Sequence, residues 1–186
     1  NEDLSFTKVT QQIAEDEYRN MLIVKDVLEV LKEGRSPIIL SSRTSHVALL
    51  AELLQPHCPN VITLVGSNST KEKRQKMEQM LSIPPSEPLV IVATGKYIGE
   101  GFDYARLDTL FLVSPVSWKG IVAQYAGRLH REHESKQEVL IYDYIDIRVP
   151  VCESMYRKRL EGYASIGYRI RNDEVFDNLF PTTDVI

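Results

Sequence analysis

The sequence predicts an α/β fold of three layers, a mostly parallel central sheet with helices on both faces. Short apolar runs alternate with helical stretches along the chain, which is the pattern of strand–helix units. The runs Leu89-Val90-Ile91-Val92-Ala93 and Leu110-Phe111-Leu112-Val113 are apolar at every position. Strands buried on both faces read this way, whereas a half-exposed strand would alternate. The helical stretches carry an apolar stripe on one side, as a layer packed on a sheet requires.

The elements follow in order. From Glu17 to Glu33, Val24, Val27, Leu28 and Leu31 recur at helical spacing, which predicts a helix with one buried stripe, closed by Gly34. Pro37 then precedes a strand over Ile38–Ser41. A helix over Ser45–Gln55 stops at Pro56, and a second strand follows at Val61–Val65. Gly66 opens a turn. Ser69 and Glu72 have capping-box spacing, so a helix should run from Thr70 to Leu81. Pro84, Pro85 and Pro88 mark a surface loop. Leu89–Ala93 and Thr109–Val113 are the third and fourth strands. Gly120–Leu129 is a short helix, Glu138–Tyr142 a fifth strand and Val151–Tyr163 a last helix.

Composition sets the outer bounds. A chain of 186 residues with 43% hydrophobic content can bury one real core. No apolar run approaches the ~20 residues that span a bilayer, so no membrane partner is expected. Asn1–Thr10 is polar and acidic, unlike a secretory signal. The first residue is not Met, as a piece cut from a longer chain would show. The net charge of −4 argues against a small, basic, sequence-specific DNA-binding domain, so any nucleic-acid contact must be local. Cys58 and Cys152 lie far apart, and His57 lacks the second pair that a zinc site needs. Both read as idle buried thiols in a reducing, cytoplasmic setting.

In open parallel sheets ligands bind at the carboxyl ends of the strands. After Ala93 comes Thr94-Gly95-Lys96-Tyr97-Ile98-Gly99-Glu100-Gly101-Phe102-Asp103. Read as a strand-exit loop, it has three glycines that let backbone approach a ligand. Thr94 offers a hydroxyl suited to phosphate, and Asp103 an acceptor suited to a ribose hydroxyl. A turn-rich loop with an exposed Asp fits the same residues equally well. Gly95-Lys96 is not a P-loop, because Val90 stands where the first glycine is required and Tyr97 where Ser or Thr is required.

Gln124-Tyr125-Ala126-Gly127-Arg128-Leu129-His130-Arg131 carries the stronger signal. On a helix, Val122, Tyr125, Ala126 and Leu129 form the packed stripe. Gln124, Arg128 and Arg131 then share another face. Guanidinium pairs match phosphate oxygens and can stabilise charge during phosphoryl transfer. Gly127 leaves room for a ligand or another chain segment. A solvated Arg face is the plain structural account of the same pattern. Two further basic clusters, Lys71/Lys73/Arg74/Lys76 and Arg157/Lys158/Arg159, read as solvated helix faces. Trp118, Tyr163 and Tyr168 could stack on bases but read first as packing.

Gln124–Arg131 is similar to motif VI (Q-x-x-G-R-x-x-R) of superfamily 2 helicases. Thr94–Asp103 resembles their motif V, and Ile38–Thr44 their motif IV. The order and spacing agree over Pro37–Tyr144. The approach Ser114–Gly120 resembles bacterial DEAD/DEAH-type helicases related to type III restriction subunits. The resemblance implies a C-terminal RecA-like domain over residues 37–171, with a helical lead-in at 1–36 and a tail or linker at 172–186. It implies that Arg128 and Arg131 face the γ-phosphate of ATP, with Arg131 as the finger, and that Gln124, Gly101 and Asp103 belong to the nucleotide site. Thr94 would hold the nucleic-acid backbone, helped by Ser42, Arg43 and the Gly66 loop. The implied partners are DNA ahead of RNA, and a first RecA-like lobe bearing the Walker A lysine and DExx carboxylates that this sequence lacks. ATP and Mg²⁺ would bind in the full-length protein, not tightly to this chain alone. The rival expectation is a non-catalytic α/β module that binds a phosphorylated ligand or a partner protein. A Walker A and DExx lobe immediately upstream would decide for the motor.

Overall fold

The computed structural model describes residues 2–66, 69–99, 102–117, 121–129 and 138–171. Seven helices and five strands are described: α1 (Glu2–Glu15), α2 (Glu17–Lys32), β1 (Pro37–Ser41), α3 (Thr44–Leu54), β2 (Asn60–Leu64), α4 (Thr70–Ser82), β3 (Leu89–Thr94), α5 (Gly95–Gly99), β4 (Thr109–Leu112), α6 (Ile121–Leu129), β5 (Leu140–Asp143) and α7 (Pro150–Ser165). The strands form one five-stranded sheet in the order β2-β3-β1-β4-β5. All four pairings are parallel. The expected sheet is therefore found, and every described pairing is parallel rather than most.

Both faces of the sheet are covered. Ile39, Val90, Val92 and Phe111 pack with Ile23, Val27 and Val30 of α2 and with Val47, Leu50 and Leu54 of α3. Ile38, Leu40, Ile91, Leu110 and Leu112 face the other way, against Met80 of α4, Ile98 of α5, and Val122, Tyr125 and Leu129 of α6. Residues of β1, β3 and β4 alternate between these two cores and are buried at every position. This explains the unbroken apolar runs in the sequence.

Local chemistry sets the element ends. Asp16 caps α2 by accepting the Arg19 N–H at 2.9 Å. Gly34 ends that helix with φ +77°, a left-handed conformation that other residues adopt at a cost. Ser69 and Glu72 form the expected capping box, with the Ser69 N–H donating to Glu72 at 2.6 Å. Pro37 sits at the first position of a central strand, where a missing N–H is tolerated.

Several expectations need correction. The buried stripe of α2 is Ile23, Val24, Val27 and Val30, whereas Leu28 and Leu31 are only partly covered. Apolar residues occupy so much of this helix that spacing alone does not locate the centre of the stripe. Gly95–Gly99, read as loop, forms the short helix α5. The proline loop is at the surface as expected, and it is tethered from below. Arg106, buried beneath it, donates to the carbonyls of Ile83 and Pro84, each at 3.3 Å, and to that of Glu87. Arg159, assigned to a solvated face, is 1% exposed. Its guanidinium grips both oxygens of Asp143 at 2.7 and 2.8 Å, and Tyr163 Oη donates to the same carboxylate at 2.9 Å. A charge can be buried here because it is paired in bidentate fashion.

Arg159→Met leaves the Asp143 carboxylate buried without its cation and should destabilise the fold by about 3 kcal/mol. The double variant Arg159→Met/Asp143→Leu should recover most of that loss in urea unfolding. A single variant within about 1 kcal/mol of wild type would show that the pair does not clamp α7 to the sheet.

Candidate nucleic-acid interface at the carboxyl edge of the sheet

Register places the motifs together. Ser41 pairs with Thr94 across β1 and β3, and Leu40 pairs with Leu112 across β1 and β4. The segments that follow all leave at one edge. The chain exits β1 toward α3 on one face and exits β4 toward α6 on the other. Crevices of open α/β sheets form where exits diverge in this way. A cleft of about 560 Å³ lies there. Ser42, Arg43, Thr94 and Lys96 line it from the strand ends, Val116 and Val122 from the approach to α6, and Phe6 and Thr10 from α1.

Four residues singled out for backbone contact thus converge. Ser42, Arg43 and Thr94 line the cleft, and the Gly66 N–H donates to Thr94 Oγ1 at 3.2 Å. Ser42 is exposed and Arg43 half-buried. Thr94 is 6% exposed, so its hydroxyl ties β3 to the Gly66 turn as well as bordering the cleft. A Cβ on Gly66 would stand 3.0 Å from Lys96 Cδ, so the glycine gives the lysine stem room to pass. Arg43 occupies the N-cap of α3 without a side-chain cap bond.

Beneath Ser42 and Arg43 lies a polar network that sequence reasoning did not find. His46 Nδ1 is 2.9 Å from Ser41 Oγ, and His46 Nε2 is 2.8 Å from Asn20 Oδ1. Ser41 Oγ is 3.0 Å from Ser114 Oγ, which accepts the Ser42 N–H at 2.9 Å. Burial, reinforced by the positive charges of Arg19 and Arg43, pushes the His46 imidazole down to about 4. No local pattern announces the network, because its members come from α2, β1, α3 and the segment after β4.

On α6 the stripe is as expected. Val122, Tyr125, Ala126 and Leu129 are buried, and Gln124 and Gly127 are exposed. A Cβ on Gly127 would meet nothing within 4 Å, so the face beside it is open. The backbone of Arg128 lies one turn beyond Gln124. Its side chain, together with Gly101 and Arg131, lies outside the described residues. Asp103 is exposed on the segment after α5.

The remaining polar clusters divide. Lys76 Nζ donates to the Thr63 carbonyl, and Lys73 Nζ sits 5.3 Å from the centre of the Tyr97 ring, so part of the α4 cluster is tied to the fold. Arg74 pairs with Glu78 at 3.0 Å in the open, as a solvated face does. Tyr163 is buried and Tyr168 Oη donates to the Ala126 carbonyl at 3.3 Å, so both serve packing. Trp118 lies outside the described residues. Both cysteines are buried, and burial raises the pKa of each thiol. Among the described residues no group of His, Cys, Asp and Glu could hold a metal ion, and no helix is long and apolar enough to cross a membrane.

Comparison with known proteins agrees with this architecture. No protein-family model matches the chain. Protein 161L of Invertebrate iridescent virus 6, to which a helicase role is ascribed, is 26% identical over 92% of this chain and 39% of its own length. The transcript termination protein A18 of Fowlpox virus is 25% identical over 84% of the chain and 34% of its own length. The transcript termination protein OPG145 of Variola virus is 31% identical over 64% of the chain and 24% of its own length. The chain therefore spans well under half of each relative. Among solved structures, UvsW of T4 superposes with a TM-score of 0.68 at 20% identity, covering 86% of this chain and 35% of that one. Domain 2 of the DEAD-box helicase Mss116p, bound to an RNA duplex, gives 0.58 at 13% identity, covering 89% and 64%. The class is thus an α/β domain of RecA-like architecture, with one five-stranded, all-parallel sheet between helices. Within that class, the chain shares its fold with UvsW and with domain 2 of Mss116p, and its sequence is similar to the viral proteins 161L and A18.

Because the folded protein keeps His46 neutral down to about pH 4, the unfolded chain binds the extra proton below the usual His value of 6.5. The His46 contribution is complete above that value and is lost as pH falls toward the folded value. Acidification from about pH 7 to about pH 5 should cost roughly 2 kcal/mol more in wild type than in His46→Phe, read by urea unfolding at both pH values. Equal losses in the two proteins would remove this assignment.

Proposed function

We propose that the chain is the second motor lobe of an ATP-dependent nucleic-acid helicase or translocase. It grips the phosphate backbone at the carboxyl edge of its sheet and supplies arginines to ATP held mainly by a first lobe. The observation that carries this reading is one cleft lined by Ser42, Arg43 and Thr94, with the Gly66 turn hydrogen-bonded to Thr94 beside it. Hydroxyls and a guanidinium lining one crevice are suited to phosphodiester oxygens. These groups read backbone rather than bases, so they serve DNA or RNA. The description of Mss116p domain 2 bound to an RNA duplex and the two transcript termination proteins support a nucleic-acid role.

The nucleotide side of the lobe is α6. Its buried stripe leaves Gln124 exposed, and in the sequence Arg128 and Arg131 follow Gln124 at intervals that would share one face of a helix. The residues present fit an ATP-facing surface: Gln124 is exposed, and a Cβ on Gly127 would meet nothing within 4 Å. In this reading Asp103 and Gly101 approach the ribose, and Arg131 approaches the γ-phosphate. ATP with Mg²⁺, if bound between the lobes, would supply the γ-phosphate on which the Arg128 and Arg131 side chains would close. Thr94 and Asp103 stand on either side of α5 in the chain, so in this reading strand grip and nucleotide contact belong to one short segment. Strand binding should therefore favour closure, and closure should favour strand binding. The buried thiols suit a reducing, cytoplasmic setting.

In a protein carrying both lobes, Arg131→Ala should lower strand-stimulated ATP turnover by about a thousandfold or more, with ATP affinity changed by no more than a few fold. Turnover equal to wild type would remove the finger assignment.

A further inference from the structure

The network beneath Ser42 and Arg43 can be oriented atom by atom. The Ala14 carbonyl only accepts, and Asn20 Nδ2 donates to it at 2.8 Å, so Asn20 Oδ1 faces His46. Nε2 must then carry the imidazole proton, which leaves Nδ1 to accept from the Ser41 hydroxyl. Ser41 Oγ in turn accepts the Arg43 N–H at 3.2 Å and the Ser114 hydroxyl. Ser114 Oγ accepts the Ser42 N–H. Every donor finds one acceptor along the line, and one orientation satisfies all of them.

Asn20, His46, Ser41 and Ser114 are each 5% exposed or less, so water does not complete the relay. For stability alone, apolar residues of the same shape would serve nearly as well. What the relay adds is position. One end holds the carbonyl at the end of α1, the helix whose Phe6 and Thr10 wall the cleft. The other end holds the backbone N–H groups of Ser42 and Arg43, which stand in the cleft.

We propose that His46, acting with Asn20, is a positioning residue that presets the Ser42–Arg43 turn and the α1 wall in one geometry for the nucleic-acid backbone. Holding the turn in its bound shape before a strand arrives removes an ordering cost from binding. His46 does not touch the strand and acts through Ser41. The inference rests on the reading of the cleft as the backbone grip.

The test is a double-variant cycle in a protein carrying both lobes. A labelled single-stranded dT oligonucleotide is titrated by fluorescence anisotropy over a range of salt. Arg43→Ala should weaken binding about tenfold and reduce the salt slope by about one phosphate contact. His46→Phe, which fills the site and breaks both bonds, should weaken binding by a similar factor. The combined variant should bind no worse than Arg43→Ala alone, because both act on the same contact. His46→Asn, whose Oδ1 stands near the Nδ1 position, should restore much of the affinity, whereas His46→Gln should not. Affinity for a labelled ATP analogue should be unchanged throughout.

Additive losses, or wild-type affinity in His46→Phe, would overturn the proposal and leave His46 a packing residue. If His46→Phe does not fold, Ser114→Ala keeps the shape and removes the acceptor of the Ser42 N–H. It should then weaken binding about threefold, again without adding to Arg43→Ala, and wild-type affinity there overturns the proposal equally. Failure of the underlying reading looks different: wild type itself would show no salt-dependent binding of the oligonucleotide.

Discussion

Parallel pairing of β3, β1 and β4 in fixed register is the constraint on which the rest of the molecule depends. Ser41 opposite Thr94 and Leu40 opposite Leu112 put three strand exits side by side. A slip by one residue would swap Ile39, Val92 and Phe111 into the core that holds Ile38, Ile91 and Leu110. Because both faces are covered, either direction of slip exposes polar ends and empties packed positions. The cleft is therefore where it is because the core admits only one alignment.

Buried and half-buried arginines tie the segments that flank the strands together. Arg19 reaches from α2 to the Val113 carbonyl at 2.7 Å and to Asp146 at 3.1 Å, which holds the segments after β4 and β5 together. Arg159 does the same from α7, joining Asp143 to the Val116 carbonyl. At the opposite edge Arg35 donates to Thr109 Oγ1 at 2.7 Å and to the Glu138 carbonyl at 2.9 Å. Each guanidinium gathers several acceptors from different segments, which a lysine of similar reach would not do. The segment after β4 pinned in this way carries Ser114, whose Oγ accepts the Ser42 N–H at the cleft.

Much of this was legible in the sequence, and the misses have physical causes. The central strands announced themselves because burial on both faces demands apolar residues at every position. The α6 stripe was legible because a short helix with one packed side leaves a clean period. The α2 stripe was shifted because Leu22, Ile23, Val24, Val27, Leu28, Val30 and Leu31 offer more than one face. The three glycines after Thr94 suggested a loop, yet Tyr97 and Ile98 are buried against the core and hold a helical turn there. Arg159 looked solvated because its partner Asp143 stands on another element. His46 and Asn20 were missed for the same reason, since a hydrogen bond between residues 26 apart leaves no local signature. Sequence pattern reports periodic burial well, whereas long-range polar pairing becomes visible only in three dimensions.

The central claim is that the carboxyl edge of the sheet, and not another surface, receives the nucleic-acid strand. Amide hydrogen exchange with and without a single-stranded oligonucleotide addresses it residue by residue. The account predicts slower exchange at Ser42, Arg43, Gly66, Gly95 and Lys96, and no change at Ser36 and Asp108 on the opposite edge. Slowing confined to that opposite edge, or none anywhere on the chain, would contradict it.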